Sequence, residues 1–377
     1  MSIRREWQSF DYILLLIACG FALFGVFMVG AALSYMNPTG LPVRYTSQKL
    51  FFATGLLVLT AAAIVDYHFI ARFYWLIYAC MVILLLIVMA ISSNDPTNTA
   101  RWIRIGEHFA IQPSEFSKIF VIVFLAKFID KYQASINNIY ILAIIMALLV
   151  IPVVLILKQP ALSACMVIAF IGACMIFASG LKARYILISI LIITPLVCLF
   201  MWDLNNKERV FIDKILGTYQ VSRIDTYLNP ERDSEEFYQT NASLTSLGSG
   251  MLKGKGYREG KYIPMGDNDF IFSVIGEQFG FIGCAGILLT LFIIVVKCLL
   301  TANRAQDMLG RLIAVGVAGK LSFEVFVNVG VATAILPNTG MPFPFLSSGG
   351  SSMWVNMACI GLVLNVGLFK TKSIFKG

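Results

Sequence analysis

The sequence predicts an all-α integral membrane protein, a polytopic bundle of about ten transmembrane helices. Three observations carry this. Of 377 residues, 58% are hydrophobic and only 13% charged, where a soluble domain carries roughly 25% charged residues. The apolar residues gather into runs near the ~20 residues that a helix needs to cross a bilayer core. The polar residues collect between those runs, with Pro and Gly at the breaks. The net charge of +8 reads as Lys and Arg of membrane loops rather than as a nucleic-acid surface.

In chain order the expected spans are 11–36, 48–65, 73–91, 113–129, 139–157, 162–178, 185–201, 270–297, 312–336 and 353–369. The first reads as a retained span, because no small-residue cleavage site follows it. Pro160 separates the fifth from the sixth, since proline cannot continue a helix. The whole chain, 1–377, reads as one domain with a large loop, 202–269, between spans seven and eight. Arg4, Arg5, Arg72, Lys131, Lys182, Arg184, Lys297, Arg304, Arg311, Lys370, Lys372 and Lys376 fall on one side, and only Arg44, Arg101, Arg104 and Lys158 in the short loops of the other. That bias predicts N-in and C-in. Segments 92–112, 158–160, 202–269 and 337–352 then share the outer face. The eight cysteines lie in or beside apolar runs without C-x-x-C spacing, so they read as packing residues, not as a disulfide framework or zinc site. With two histidines, His-based metal or triad chemistry is not expected, and no residue is assigned to a metal.

Several stretches hold residues capable of chemistry. Gln112-Pro113-Ser114-Glu115-Phe116-Ser117-Lys118 opens a helix on proline and sets Glu115 and Lys118 three apart on one face. They read either as a packing ion pair or as the charged wall of a cavity. Arg101-Trp102 reads as an interfacial anchor or as a cation beside a sugar-stacking ring. The run from Gly248 to Gly256, GSGMLKGKG, is no Walker motif, because Gly256 follows Lys255 where Ser or Thr is required. It reads as a flexible loop, or as amides and Lys253 or Lys255 holding a pyrophosphate. Asp269 stands where this polar stretch enters the next apolar run. It reads equally as a helix N-cap or as a functional acid at the membrane edge. Glu277, two turns on, reads as a buried hydrogen-bonded acid. The segment 337–352 has too many Pro and Gly to be helical, and reads as a loop lining a cavity.

Taken together, ARWIRIG, QPSEFSK, SLTSLGSGMLKGKG, DFIFSVIGEQFGFIG and LPNTGMPFPFLSSGGSSM resemble the SEDS (RodA/FtsW-like) family from about residue 10 to residue 370. The resemblance implies a peptidoglycan glycosyltransferase that polymerises lipid II, a disaccharide-pentapeptide on undecaprenyl pyrophosphate, at the outer face of the bacterial cytoplasmic membrane. It implies a class B penicillin-binding transpeptidase as partner, and membrane lipid around the chain. It places the family's essential aspartate on Asp269, its charged pair on Glu115 and Lys118, and its Arg-Trp on Arg101 and Trp102. The chain departs from the family at Asp267-Asn268, where His-Thr is usual, at Pro264-Met265 for Pro-Glu, at Ser348 for Tyr, and at Ala161 for an acid. Elongation, division and sporulation stay open as its setting.

The expected chemistry is attack of an acceptor hydroxyl on the sugar C1, with Asp269 as general base. Burial would raise its pKa, and capping or nearby cations would lower it. Arg101, Lys118 and Lys255 are candidates to stabilise the departing pyrophosphate, and Ser347 and Ser348 to bind substrate from the 337–352 loop. A divalent cation, Mg2+ or Mn2+, is a candidate to share that work. The competing class is transport, a lipid II flippase. The one-sided placement of the polar segments disfavours it, since alternating access uses a midplane site.

Overall fold

The computed structural model describes residues 9–369 except 36–42, 93–100, 106–108, 160, 204–217, 229–234 and most of 186–201. Its helices are α1 (Tyr12–Ser34), α2 (Val43–Ile64), α3 (Tyr67–Arg72), α4 (Tyr74–Ser92), α5 (Pro113–Lys131), α6 (Ile139–Leu157), α7 (Leu162–Ala178), α8 (Thr218–Leu228), α9 (Glu235–Ser249), α10 (Ile271–Arg304), α11 (Met308–Ala332) and α12 (Gly350–Leu368). A two-stranded antiparallel hairpin, β1 (Ile103–Ile105) with β2 (Phe109–Ile111), precedes α5.

Among the described residues seven helices are long and apolar enough to cross a membrane: α1, α2, α4, α6, α10, α11 and α12. α7 is apolar but shorter, at 17 residues. α5 runs for 19 residues and carries Glu115, Lys118, Lys127, Asp130 and Lys131. The span expected at 185–201 lies largely outside the described residues; each of the others coincides with one of these helices. Several ends differ from expectation: α2 begins at Val43, α10 runs on to Arg304 and α11 begins at Met308, and two further differences frame the 337–352 segment. α11 stops at Ala332, because the amides of Ile335 and Leu336 turn back onto the carbonyl of Gly330 at 2.8 and 2.9 Å. α12 begins at Gly350, so the last residues of the supposed non-helical 337–352 segment are helical.

Burial divides the helices into an inner and an outer set. α5 buries Val121 through Ala126 without a break, and α12 buries almost its whole length. Helices apolar and buried all round occupy a core. α4 and α6 leave about half of their residues exposed, including Trp75, Leu76, Ile83, Ile144 and Val150, as lipid-facing helices do. Gly361 lets α12 approach α2 closely: a Cβ there would sit 2.6 Å from the Cβ of Ala62. Such small-residue contacts drive helix association in lipid.

α10 is broken. Gly280 has φ 64° and ψ −161° inside it, a conformation that glycine alone adopts readily. In an unbroken helix the carbonyls of Glu277 and Gln278 would accept from the amides of Phe281 and Ile282. Instead they accept from Lys255 and Gly256 of the glycine-lysine run, both at 3.0 Å. The freed amides of Phe281 and Ile282 donate to Met251 and Leu252 at 2.9 and 3.2 Å. The run splints the break, giving new partners to all four backbone groups of the two lost bonds, which satisfies the rule that backbone in lipid be hydrogen-bonded within protein. Gly254 is required there, since a Cβ would collide with the Gln278 carbonyl.

Candidate active site

Asp269 closes a tight turn just ahead of α10. The amides of Asn268 and Phe270 both donate to the carbonyl of Met265, at 3.0 and 3.2 Å. The turn folds this way because a second irregular segment, 337–349, braces it. Ser348 donates through its amide to the Asp267 carbonyl at 2.8 Å and through Oγ to Asp267 Oδ2 at 2.9 Å. Ser347 Oγ donates to the Asn268 carbonyl at 2.6 Å and accepts from the Phe343 amide at 2.7 Å. Arg44, at the start of α2, reaches Asp267 Oδ2 at 3.3 Å. Gln48 accepts from the Gly349 amide at 3.0 Å. Ser347 and Ser348, expected to bind substrate, are thus committed to holding the Asp267–Asp269 turn.

Asp269 does not cap α10. Phe270 holds the N-cap position without a side-chain hydrogen bond. Asp269 is only 8% exposed, and its Oδ1 is buried without a hydrogen-bond partner. Its Oδ2 lies 3.4 Å from where a Cβ on Gly340 would stand, and Arg223 Nη1 of α8 lies 3.2 Å from the same point. Arg223 also donates to the Asn338 carbonyl at 3.0 Å. Burial pushes the Asp269 carboxyl up to about 6, with Asp267 adding to the rise and Arg223 and Arg101 opposing it. The contest between burial and cations that the sequence leaves open goes to burial. With a pKa of about 6, one oxygen without a partner and two guanidinium groups acting on it, the carboxylate is mostly ionised at neutral pH and suits a general base.

The other expected site residues separate into three places. Arg101 is half-buried and acts electrostatically on Asp269; Trp102 beside it, leading into β1, is 42% exposed. Glu115 and Lys118 lie in a fully buried ion network instead. Lys118 Nζ bonds Glu115 Oε1 at 2.6 Å and Glu324 Oε1 at 2.8 Å. Lys320 Nζ bonds Glu324 Oε2 at 2.8 Å and Asn356 Oδ1 at 2.5 Å. Two cations and two carboxylates neutralise each other between α5 and α11, and Asn356 ties the network to α12. Lys255 is elsewhere again, its Nζ 2.6 Å from Glu277 Oε1, while Glu277 Oε2 accepts from the Lys261 amide at 3.1 Å. With its amide on the α10 break and its ammonium on Glu277, Lys255 fastens the splint and does not face Asp269. Sequence reasoning missed Arg223, Lys320, Glu324 and Asn328. Lys320 and Glu324 carried a usable signal, opposite charges four apart inside an apolar run.

The fold and site define a polytopic helical membrane protein with a buried carboxylate, one oxygen of it without a partner, under the influence of two arginines just ahead of a broken helix. The chain belongs to the family of FtsW, RodA and SpoVE, described as "Cell cycle protein", whose model matches residues 11–372. It is 33% identical to the probable peptidoglycan glycosyltransferase FtsW of Trichlorobacter lovleyi, over 97% of this chain and 95% of that one. It is 30% identical to the peptidoglycan glycosyltransferase MrdB of Escherichia coli K12, over 90% of each. A chain from a peptidoglycan synthase complex that coordinates polymerization and crosslinking superposes with a TM-score of 0.78 at 25% identity, covering 96% of this chain and 98% of that one. The rod shape determining protein RodA of Thermus thermophilus shares the fold, with a TM-score of 0.68 at 24% identity over 96% and 97% of the two chains.

Proposed function

We propose that this chain is a peptidoglycan glycosyltransferase that polymerises lipid II, with Asp269 as its general base. The observation that carries the assignment of the base is the buried Oδ1 of Asp269, without a hydrogen-bond partner, on a carboxylate that feels both Arg101 and Arg223. The acceptor hydroxyl gives its proton to Asp269 as its oxygen attacks C1 of the donor sugar. The bond from C1 to the pyrophosphate oxygen breaks, and undecaprenyl pyrophosphate leaves with the electron pair. A single displacement inverts the anomeric centre. Arg101 and Arg223 meet the charge that grows on the leaving group, the largest electrostatic demand of the step. Trp102, exposed beside Arg101, offers a face for a sugar ring.

Among the described residues no three His, Cys, Asp or Glu side chains gather to hold a metal. Asp267 is already engaged by Ser348 and Arg44. An Mg2+ or Mn2+ ion needs only one or two carboxylates beside substrate phosphates, and Asp269 Oδ1, buried without a partner, would be the protein oxygen to hold it against the pyrophosphate. The chain is read as ten spans in one domain, with both termini inside and residues 202–269 outside, which sets Asp269 on the outer face of the cytoplasmic membrane. The Lys and Arg distribution supports this orientation. The resemblance to a complex that couples polymerization with crosslinking supports a class B penicillin-binding transpeptidase as partner.

The test uses purified full-length protein and lipid II in detergent, where no second compartment exists. The parental chain yields glycan strands and Asp269→Asn yields none. Glycan made by Asp269→Asn at the parental rate would remove the base assignment. A parental chain that makes no glycan under any condition would favour transport instead.

A further inference from the structure

Asn328 lies two turns beyond Lys320 and one beyond Glu324 on α11, so the three share one face. It is 1% exposed. Its Nδ2 carries two hydrogens, and both are used: one on the carbonyl of Asp269 at 2.8 Å, the other on the carbonyl of Met341 at 2.6 Å. Those carbonyls belong to the two irregular segments that frame the site. Neither is itself helix or strand, and α2 holds them at Asp267, Ser347 and Gly349, through Arg44 and Gln48. Met341 follows Gly340, whose Cα faces Asp269 Oδ2 and the Arg223 guanidinium. Ser347 and Ser348 tie the same two segments at Asp267 and Asn268, and the Asn328 amide adds the tie at Asp269 itself, next to the wall that presents Arg223.

α11 itself is held against rotation directly below. Both oxygens of Glu324 are bonded, to Lys118 of α5 and Lys320 of α11, and Lys320 reaches Asn356 of α12. Asn328 is thus a fixed post on a helix keyed to two neighbours. We infer that Asn328 is a positioning residue for Asp269, clamping the Asp269 turn to the Met341 segment and so setting the carboxylate at its distance from Arg223. The inference rests on Asp269 being the base.

The test compares Asn328→Leu, which keeps the branched outline and removes both donors, with the near-isosteric Asn328→Asp, in full-length protein polymerising lipid II in detergent. Asn328→Leu lowers kcat about 10–100-fold, the scale of a ~1 Å misplacement, and leaves KM for lipid II within about twofold. Its acidic pH limb moves down, because a released Asp269 gains solvent. In Asn328→Asp the limb moves up, because a second carboxylate faces Asp269. A merely structural residue would lower the thermal midpoint and the yield of folded protein and leave the limb in place. Parental kcat with an unmoved limb in either folded variant, while Asp269→Asn is inactive, overturns the inference and spares the base. An active Asp269→Asn removes the base and this inference together.

Discussion

Asp269 can be tested through stability as well as through rate. Its carboxyl is raised from 3.8 to about 6, chiefly by burial. The folded chain therefore binds a proton between these values that the unfolded chain has lost, and folding stability falls as pH rises through this window. At about 1.4 kcal/mol per pKa unit, the ionised carboxylate costs the fold roughly 3 kcal/mol above pH 6. Asp269→Asn removes the charge and keeps the shape. It is expected to raise thermal stability at pH 7.5 by an amount approaching that figure, and to change it little at pH 4, while abolishing polymerisation. Scanning unfolding of both proteins in one detergent at the two pH values measures this. The same pKa requires kcat/KM of the parental chain to fall about tenfold from pH 7 to pH 5, where a carboxyl at 3.8 would lose almost nothing. Equal stability changes at both pH values, or a flat rate profile down to pH 5, would refute the reasoning.

Three other substitutions separate the parts of the site. Arg223→Ala removes a cation that holds the Asp269 pKa down, so the acidic limb should move above 6 and kcat at pH 7 should fall, read from the pH profile of polymerisation. Lys320→Met strips one cation from the buried network and should destabilise the fold by about 3–5 kcal/mol; adding Glu324→Gln should recover part of the loss, and a non-additive cycle in thermal unfolding is the check. Lys255→Ala should leave KM for lipid II and the pH limb unchanged within about twofold, yet expose residues 251–256 to protease, because Lys255 fastens the α10 splint rather than the pyrophosphate.

The spans were legible because lipid imposes both a length and a composition on any helix that crosses it. Asp269 stood out for the same reason, as an acid at an apolar boundary. Arg223 was hidden in a segment with many Lys and Arg and no period to single one out. α8 and α9 were missed because TYQVSRIDTYL and EEFYQTNASLTSLGS lack an apolar run of membrane length. The Glu277 pairing of Lys255 was not legible for a subtler cause. Glycines and lysines suit an anion-cradling loop and a chain that must lie against another backbone equally well, and only the partners of its amides tell them apart. Asn328 gave no signal, since an amide in an apolar helix is recognised only by the carbonyls it meets.

The break in α10 also bears on how the chain is made. Residues 251–256 leave the ribosome before Gly280 does, so the splint is synthesised ahead of the helix it completes. Peptide groups without partners in hydrocarbon cost several kcal/mol each, so the open break is not a stable stage of membrane insertion. Residues 271–304 are expected to enter the bilayer as one continuous helix, and to break at Gly280 only when the waiting glycine-lysine run docks. The turn that carries Asp269 directly precedes this helix, so the site takes its final form after insertion, in a step of its own.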